Sequence, residues 1–200
     1  MRAVSKIIFL AIALCCAVSV FAQTRASKAA AQPRAVIETS MGDIHCTLFP
    51  DKAPIGVANF IGLATGKKAW TDPRNGTKRE GVPLYDGVTF HRVIPNFMIQ
   101  GGDPTGTGTG SPGNEFGVEA SPDLTFDRPG RLAYANAGPG TNGSQFFVTE
   151  VPYPSLNGGY TIFGQCNNVD VVQKITRVPR DANDKPITPV IIKHIRIVQP

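Results

Sequence analysis

Apolar residues recur along this chain in short runs that alternate with polar positions and are separated by clusters of Gly, Pro, Asn and Asp, a pattern that predicts strands. The runs fall at residues 35–39, 43–49, 88–93, 97–101, 132–135, 146–148, 162–166 and 190–198. Two segments follow a helical period instead. In residues 53–65, Pro54 suits a first-turn position that needs no amide donor, Ile55, Ala58 and Ile61 fall on one face, and Gly66 is placed to end the helix. Residues 169–175 form a second, shorter helical segment. Strand runs without regular strand–helix alternation predict a mostly β fold, a closed eight-stranded antiparallel β-barrel with two α-helices. The stretches 67–87 and 103–129, dense in Gly, Pro, Asn and Asp, are read as loops, and loops of that length in a compact domain are usually functional.

The N-terminus is patterned differently. Arg2 and Lys6 precede an apolar stretch from Ile7 to Val18, and Val20-Phe21-Ala22 offers a small-residue cleavage site, so residues 1–22 are read as a cleaved export signal. The apolar run is short and no stop-transfer charges follow it, so no stable membrane association is expected. Residues 23–33 read as a flexible leader and 34–200 as one domain, in the periplasm or secreted. The net charge of +5 falls to about +3 without Arg2 and Lys6, too mild and too scattered for nucleic acid. Beyond the signal, Cys46 and Cys166 both sit in apolar strand-like runs. A disulfide and a pair of buried thiols are equally compatible with them. No coiled-coil heptad argues against a monomer.

Two stretches carry the candidate chemistry. Phe90-His91-Arg92-Val93-Ile94-Pro95-Asn96-Phe97-Met98-Ile99-Gln100-Gly101-Gly102-Asp103 sets one arginine close to Phe97, Met98 and Gln100 across a turn at Pro95-Asn96. Alternate strand residues share a face, so Met98 and Gln100 point the same way. In Ala135-Asn136-Ala137-Gly138-Pro139-Gly140-Thr141-Asn142-Gly143-Ser144-Gln145-Phe146-Phe147, small residues leave room for a ligand backbone, Gln145 offers an amide and Phe147 an apolar wall.

These stretches closely resemble the motifs of the cyclophilin family of peptidyl-prolyl cis-trans isomerases. The resemblance takes in residues 54–66 and Leu156-Asn157-Gly158-Gly159-Tyr160-Thr161-Ile162-Phe163-Gly164, and so nearly all of 35–198. It implies that Arg92 is the catalytic arginine. It implies further that Phe97, Met98, Phe147 and Leu156 line a proline pocket, and that Gln100, Ala135, Asn136, Ala137 and Gln145 line an adjoining groove. Tyr160 stands where many members have histidine, and Ser155 where members that bind cyclosporin tightly carry tryptophan, so weak cyclosporin binding is expected. The implied partners are proline-containing segments of unfolded or flexible proteins, with no cofactor or metal.

That chemistry suits these residue types. Rotation about an X-Pro bond breaks no covalent bond but loses amide resonance, and an arginine donor that favours the twisted state lowers the barrier. A proline-peptide binding module or holdase with incidental catalysis is the competing reading. Its mark would be a lost arginine or an occluded pocket. His91, beside Arg92, is expected to pack and hydrogen-bond rather than act as a base, since the reaction moves no proton. Gly106-Thr107-Gly108-Thr109-Gly110 has the glycines of a phosphate-cradling loop but not its GKS or GKT ending, and is read as a surface loop shaping the groove. Phe116 and Phe126 are assigned to core or loop packing.

Overall fold

Strands form where the alternation places them. The computed structural model describes residues 32–199, so the segments read as an export signal (1–22) and as a leader up to residue 31 lie outside the described residues. Eight strands make one antiparallel sheet: β1 (Arg34–Thr39), β2 (Gly42–Leu48), β5 (Arg92–Ile94), β6 (Met98–Gly101), β7 (Arg131–Tyr134), β8 (Phe146–Thr149), β9 (Ile162–Cys166) and β10 (Ile192–Val198). Their order is β10-β1-β2-β9-β7-β8-β6-β5. Two further strands, β3 (Trp70–Asp72) and β4 (Thr77–Arg79), pair as a hairpin inside the first predicted loop.

The predicted closure does not occur: the sheet curls through 217°, a half-barrel. Of the predicted strand at 88–93, only the end pairs in a ladder, with β6. Residues 88–90 meet the approach to β10 through one bridge, Thr89 to Ile191, with Phe90 N–H donating to Val190 O at 2.9 Å and Ile192 N–H to Val88 O at 2.8 Å. Pro186 and Pro189, lacking amide donors, keep the run before Ile192 from extending the seam.

The sheet's inner face carries the main core. The cross-strand row Val93–Ile99–Val148–Leu132 is wholly buried. Phe60, Tyr85, Phe90, Phe146, Phe163 and Tyr134 fill the concavity with tilted and edge-on ring pairs between 4.5 and 6.2 Å apart. Two helices pack against the sheet among the described residues, α1 (Pro54–Ala64) beside β10 and α2 (Val169–Thr176) beside β2, β5 and β6. The α1 face differs from the predicted one. Val57, Phe60, Leu63 and Ala64 are buried, whereas Ile55 is 56% exposed. Ala53 supplies no side-chain cap; Glu119 accepts the N–H groups of Ile55 (2.9 Å) and Gly56 (2.7 Å) instead. Gly66, at φ 71°, ends the helix where a Cβ would press on Val82 backbone at 2.8 Å.

Cys46 and Cys166 lie directly opposite each other on β2 and β9 and are joined by a disulfide, which decides between the two cysteine readings. Both are buried in the main core, and the bond closes a sequence separation of 120 residues. Replacing the pair by alanines is expected to lower stability by about 2–5 kcal/mol. Thermal unfolding with and without a strong reductant checks this: the wild-type midpoint should fall under reduction, and that of the double variant should not move.

Candidate active site

Residues directly opposite in an antiparallel ladder share a face, and the outer row here reads Arg92, Gln100, Phe147, Ala133, Ile162 across β5, β6, β8, β7 and β9. A register shift between Leu132 and Ala133 puts Ile162 in this row while its neighbour Phe163 stays in the main core. The outer row seats a second apolar cluster, separate from the core: Met98, Phe126, Ala133, Phe147 and Ile162, flanked by the half-buried Phe97, Leu156 and Tyr160. The four residues assigned to a proline pocket therefore come together, and Tyr160 joins them.

Its walls are aromatic. Phe126 stacks on Phe147 with centroids 5.8 Å apart, and Tyr160 meets Phe147 edge-on at 5.5 Å. Phe97 enters from the turn, where Asn96 holds a left-handed φ of 59°. That turn is tied down by Glu150, whose buried carboxylate accepts Asn96 N–H (2.9 Å), the Thr176 hydroxyl (2.8 Å) and two Arg177 N–H groups (2.9 and 2.6 Å). Burial pushes the Glu150 carboxyl up, but the hydrogen bonds from Arg177, Thr176 and Asn96 outweigh it and hold the group below its ordinary range.

Arg92 stands exposed at the pocket mouth, its guanidinium carbon 6.0 Å from the Phe97 ring centroid. No carboxylate pairs with it among the described residues. Asp86, the acid nearest in sequence, faces His194 Nδ1 at 2.9 Å, and Asp103 is taken up by its own loop, so Arg92 is left unpaired. Its donors are thus free for a ligand, and desolvation of the guanidinium has to come from that ligand.

Beside the pocket lies a groove of about 400 Å³ lined by Gln100, Ala135, Asn136, Ala137 and Gln145, with Gly108 to Ser111 as the opposite wall. Gln100 Nε2 donates to Gln145 Oε1 at 3.0 Å, and Gln145 Nε2 to the carbonyls of Gly108 (2.9 Å) and Gly110 (3.2 Å). The Asn136 side chain is spent internally, on Gly159 O (3.0 Å) and Gly138 N–H (3.2 Å). Its main-chain N–H and C=O have no partner among the described residues, so they can pair with an extended peptide.

The glycine-rich wall is organised around an anion, but an internal one. The fully buried Asp103 carboxylate accepts the N–H groups of Thr105 (2.7 Å), Thr107 (3.1 Å), Gly108 (2.7 Å) and Gly110 (3.1 Å), together with the Thr105 and Thr107 hydroxyls. A Cβ at Gly110 would overlap Asp103 Oδ1. The donors a phosphate would need are therefore occupied, and the loop shapes the groove.

The model of the cyclophilin type peptidyl-prolyl cis-trans isomerase/CLD family matches residues 34–197. The chain belongs to that family. A peptidyl-prolyl cis-trans isomerase A from Mycobacterium tuberculosis is 51% identical over 166 residues, spanning 82% of this chain and 91% of the relative. An isomerase B from Streptomyces anulatus is 48% identical over 170 residues, spanning 83% and 97%. A cyclophilin from Cryptosporidium parvum, crystallised in the presence of the dipeptide Ala-Pro, superposes with a TM-score of 0.72 at 37% identity, covering 84% of this chain and 99% of that one.

Two assignments for this cyclophilin gain detail. Phe126 packs as assigned, as a wall of the outer cluster, placed there because its N–H donates to Asn157 Oδ1 (2.8 Å) and its C=O accepts from Tyr153 (2.8 Å). No local pattern marks it, since both partners lie far along the chain. His91 packs as expected, buried against Gly108, but both ring nitrogens lack a partner among the described residues. Burial lowers its pKa, and the nearby Lys185 and Arg92 charges act the same way against the opposing pull of Asp103, so the ring is neutral.

Asp103→Asn tests the loop, because an amide brings donors to a site built from donors. A loss of roughly fivefold to tenfold in kcat/KM on an X-Pro peptide is expected, with a lower thermal midpoint. Burial raises the Asp103 carboxyl, but the loop's hydrogen bonds prevail and hold it below its ordinary range. A depressed folded-state pKa gives stability that is complete above about pH 4 and lost as pH falls through the folded value. Acid unfolding followed from pH 5 downward should be less steep in the variant.

Proposed function

We propose that this cyclophilin accelerates rotation about X-Pro bonds in exported proteins as they fold, acting in the periplasm or outside the cell. The observation that carries the reading is an unpaired Arg92 set over the rim of an apolar pocket that adjoins a groove with a free backbone edge. Planar X-Pro amides interconvert over about 18–20 kcal/mol. In the twisted state the imide nitrogen regains its lone pair and the carbonyl loses conjugation. The Phe97, Met98, Phe147 and Leu156 pocket holds the pyrrolidine ring while Asn136 and Gln100 fix the backbone, so that one half of the bond turns against the other. Arg92 donates to the proline carbonyl or approaches the imide nitrogen, an interaction stronger in the twisted than in the planar state. Each tenfold in rate needs about 1.4 kcal/mol, so one such contact accounts for two or three decades.

Export is supported by the signal pattern of residues 1–22 and by the Cys46–Cys166 disulfide, a bond at home in oxidising compartments. Among the described residues no helix is long and apolar enough to cross a membrane.

With purified residues 23–200, the cis-to-trans rate of a short X-Pro peptide should rise with enzyme concentration, and Arg92→Ala should lose about a hundredfold to a thousandfold of kcat/KM while keeping its thermal midpoint. No acceleration by the folded wild-type protein would favour the binding-module reading, and an unchanged rate in the variant would remove Arg92 from the mechanism. Ser155 is exposed on the short turn Pro154–Leu156 and offers no flat apolar surface, so cyclosporin should inhibit only at micromolar levels or above; nanomolar inhibition would contradict this.

A further inference from the structure

One aromatic at the site has no part in the mechanism above. Tyr153 packs against Phe97 with ring centroids 4.4 Å apart and planes inclined by 38°, yet it is 36% exposed. Its backbone is held at both ends: Tyr153 N–H donates to Phe126 O at 2.8 Å, and its carbonyl accepts Leu156 N–H at 3.1 Å. Pro152 and Pro154 flank it and restrict the backbone further. The hydroxyl has no partner among the described residues. A large aromatic that is rigidly placed, partly bare to solvent and free at its polar tip is arranged as a contact surface rather than a core residue.

Its position decides what it touches. Arg92 lies over Phe97, and Phe97 lies against Tyr153, and none of the three lines the groove formed by Gln100, Asn136 and Gln145. If Arg92 engages the proline carbonyl, the residue bonded to that carbonyl lies beside Arg92, within reach of the Phe97–Tyr153 pair. We infer that Tyr153 is a substrate-binding residue: with Phe97 it forms an aromatic shelf for the side chain immediately following the proline and favours X-Pro-aromatic segments. This rests on the isomerase reading and adds a sequence preference to it.

The test compares kcat/KM for two peptides, Ala-Ala-Pro-Phe and Ala-Ala-Pro-Gly, in the wild type, Tyr153→Ala and Tyr153→Phe. An aromatic pair contributes enough for a preference of about threefold to tenfold for the Phe peptide in the wild type. Tyr153→Ala should abolish that ratio through a higher KM for the Phe peptide alone, and Tyr153→Phe should retain it. A wild type indifferent to the following residue, or a Tyr153→Ala protein that keeps the ratio or loses rate equally on both peptides, would overturn the shelf while leaving the isomerase reading in place. A wild type that accelerates neither peptide would remove both.

Discussion

Everything on the outer face of the sheet is placed by what the inner face has to bury. Val93, Ile99, Val148 and Leu132 sit opposite one another with no exposed surface, and that register puts Arg92, Gln100, Phe147 and Ala133 opposite one another on the other side. A slip of one residue would exchange the rows, setting Arg92 and Gln100 into the core and exposing four apolar side chains. The cost of such a slip, a buried guanidinium and amide without partners, far exceeds what any single contact at the site contributes. The site is thus a by-product of core register, and its precision comes from hydrophobic burial rather than from polar contacts among its own members.

The open sheet follows from the same economy. The segments just before its two edge strands meet through one bridge, Thr89 to Ile191, and the helices and long loops shield the rest of the core. Loops without ladder partners satisfy their backbones otherwise, and here single side chains do so: Asp103 gathers residues 105–110, Glu150 holds the turn at Asn96, and Glu119 caps α1. Each carboxylate accepts several donors at once, which makes the loop around it behave as a rigid element. The two walls of the groove consequently stand apart at a fixed width before any peptide arrives, so less ordering entropy is lost on binding.

Strand positions, both helices and the two site stretches were legible because period and turn chemistry are local. Arg92, Phe97, Met98 and Gln100 lie within nine residues of one another, so one hairpin suffices to bring them together. The α1 face was misread because Ile55 and Ile61 outweigh Val57 and Phe60 only when the surrounding core is unknown. The β3–β4 hairpin went unseen for a related reason. Three-residue strands show no period, and what holds this pair is the buried Asp72 carboxylate bonded to Arg74 and Arg79.

The sequence by itself determined the eight runs that supply the main sheet, the helix at 54–64 and the residue types of the site, since these depend on neighbours within a few positions. Only the tertiary structure decided that the sheet stays open, that Cys46 faces Cys166, that Phe126 joins the pocket, that Tyr153 packs on Phe97 and that Asp103 fills its own loop. Each of these depends on which distant segments come to lie side by side. That choice is made by burial summed over the whole sheet, a quantity no local window contains.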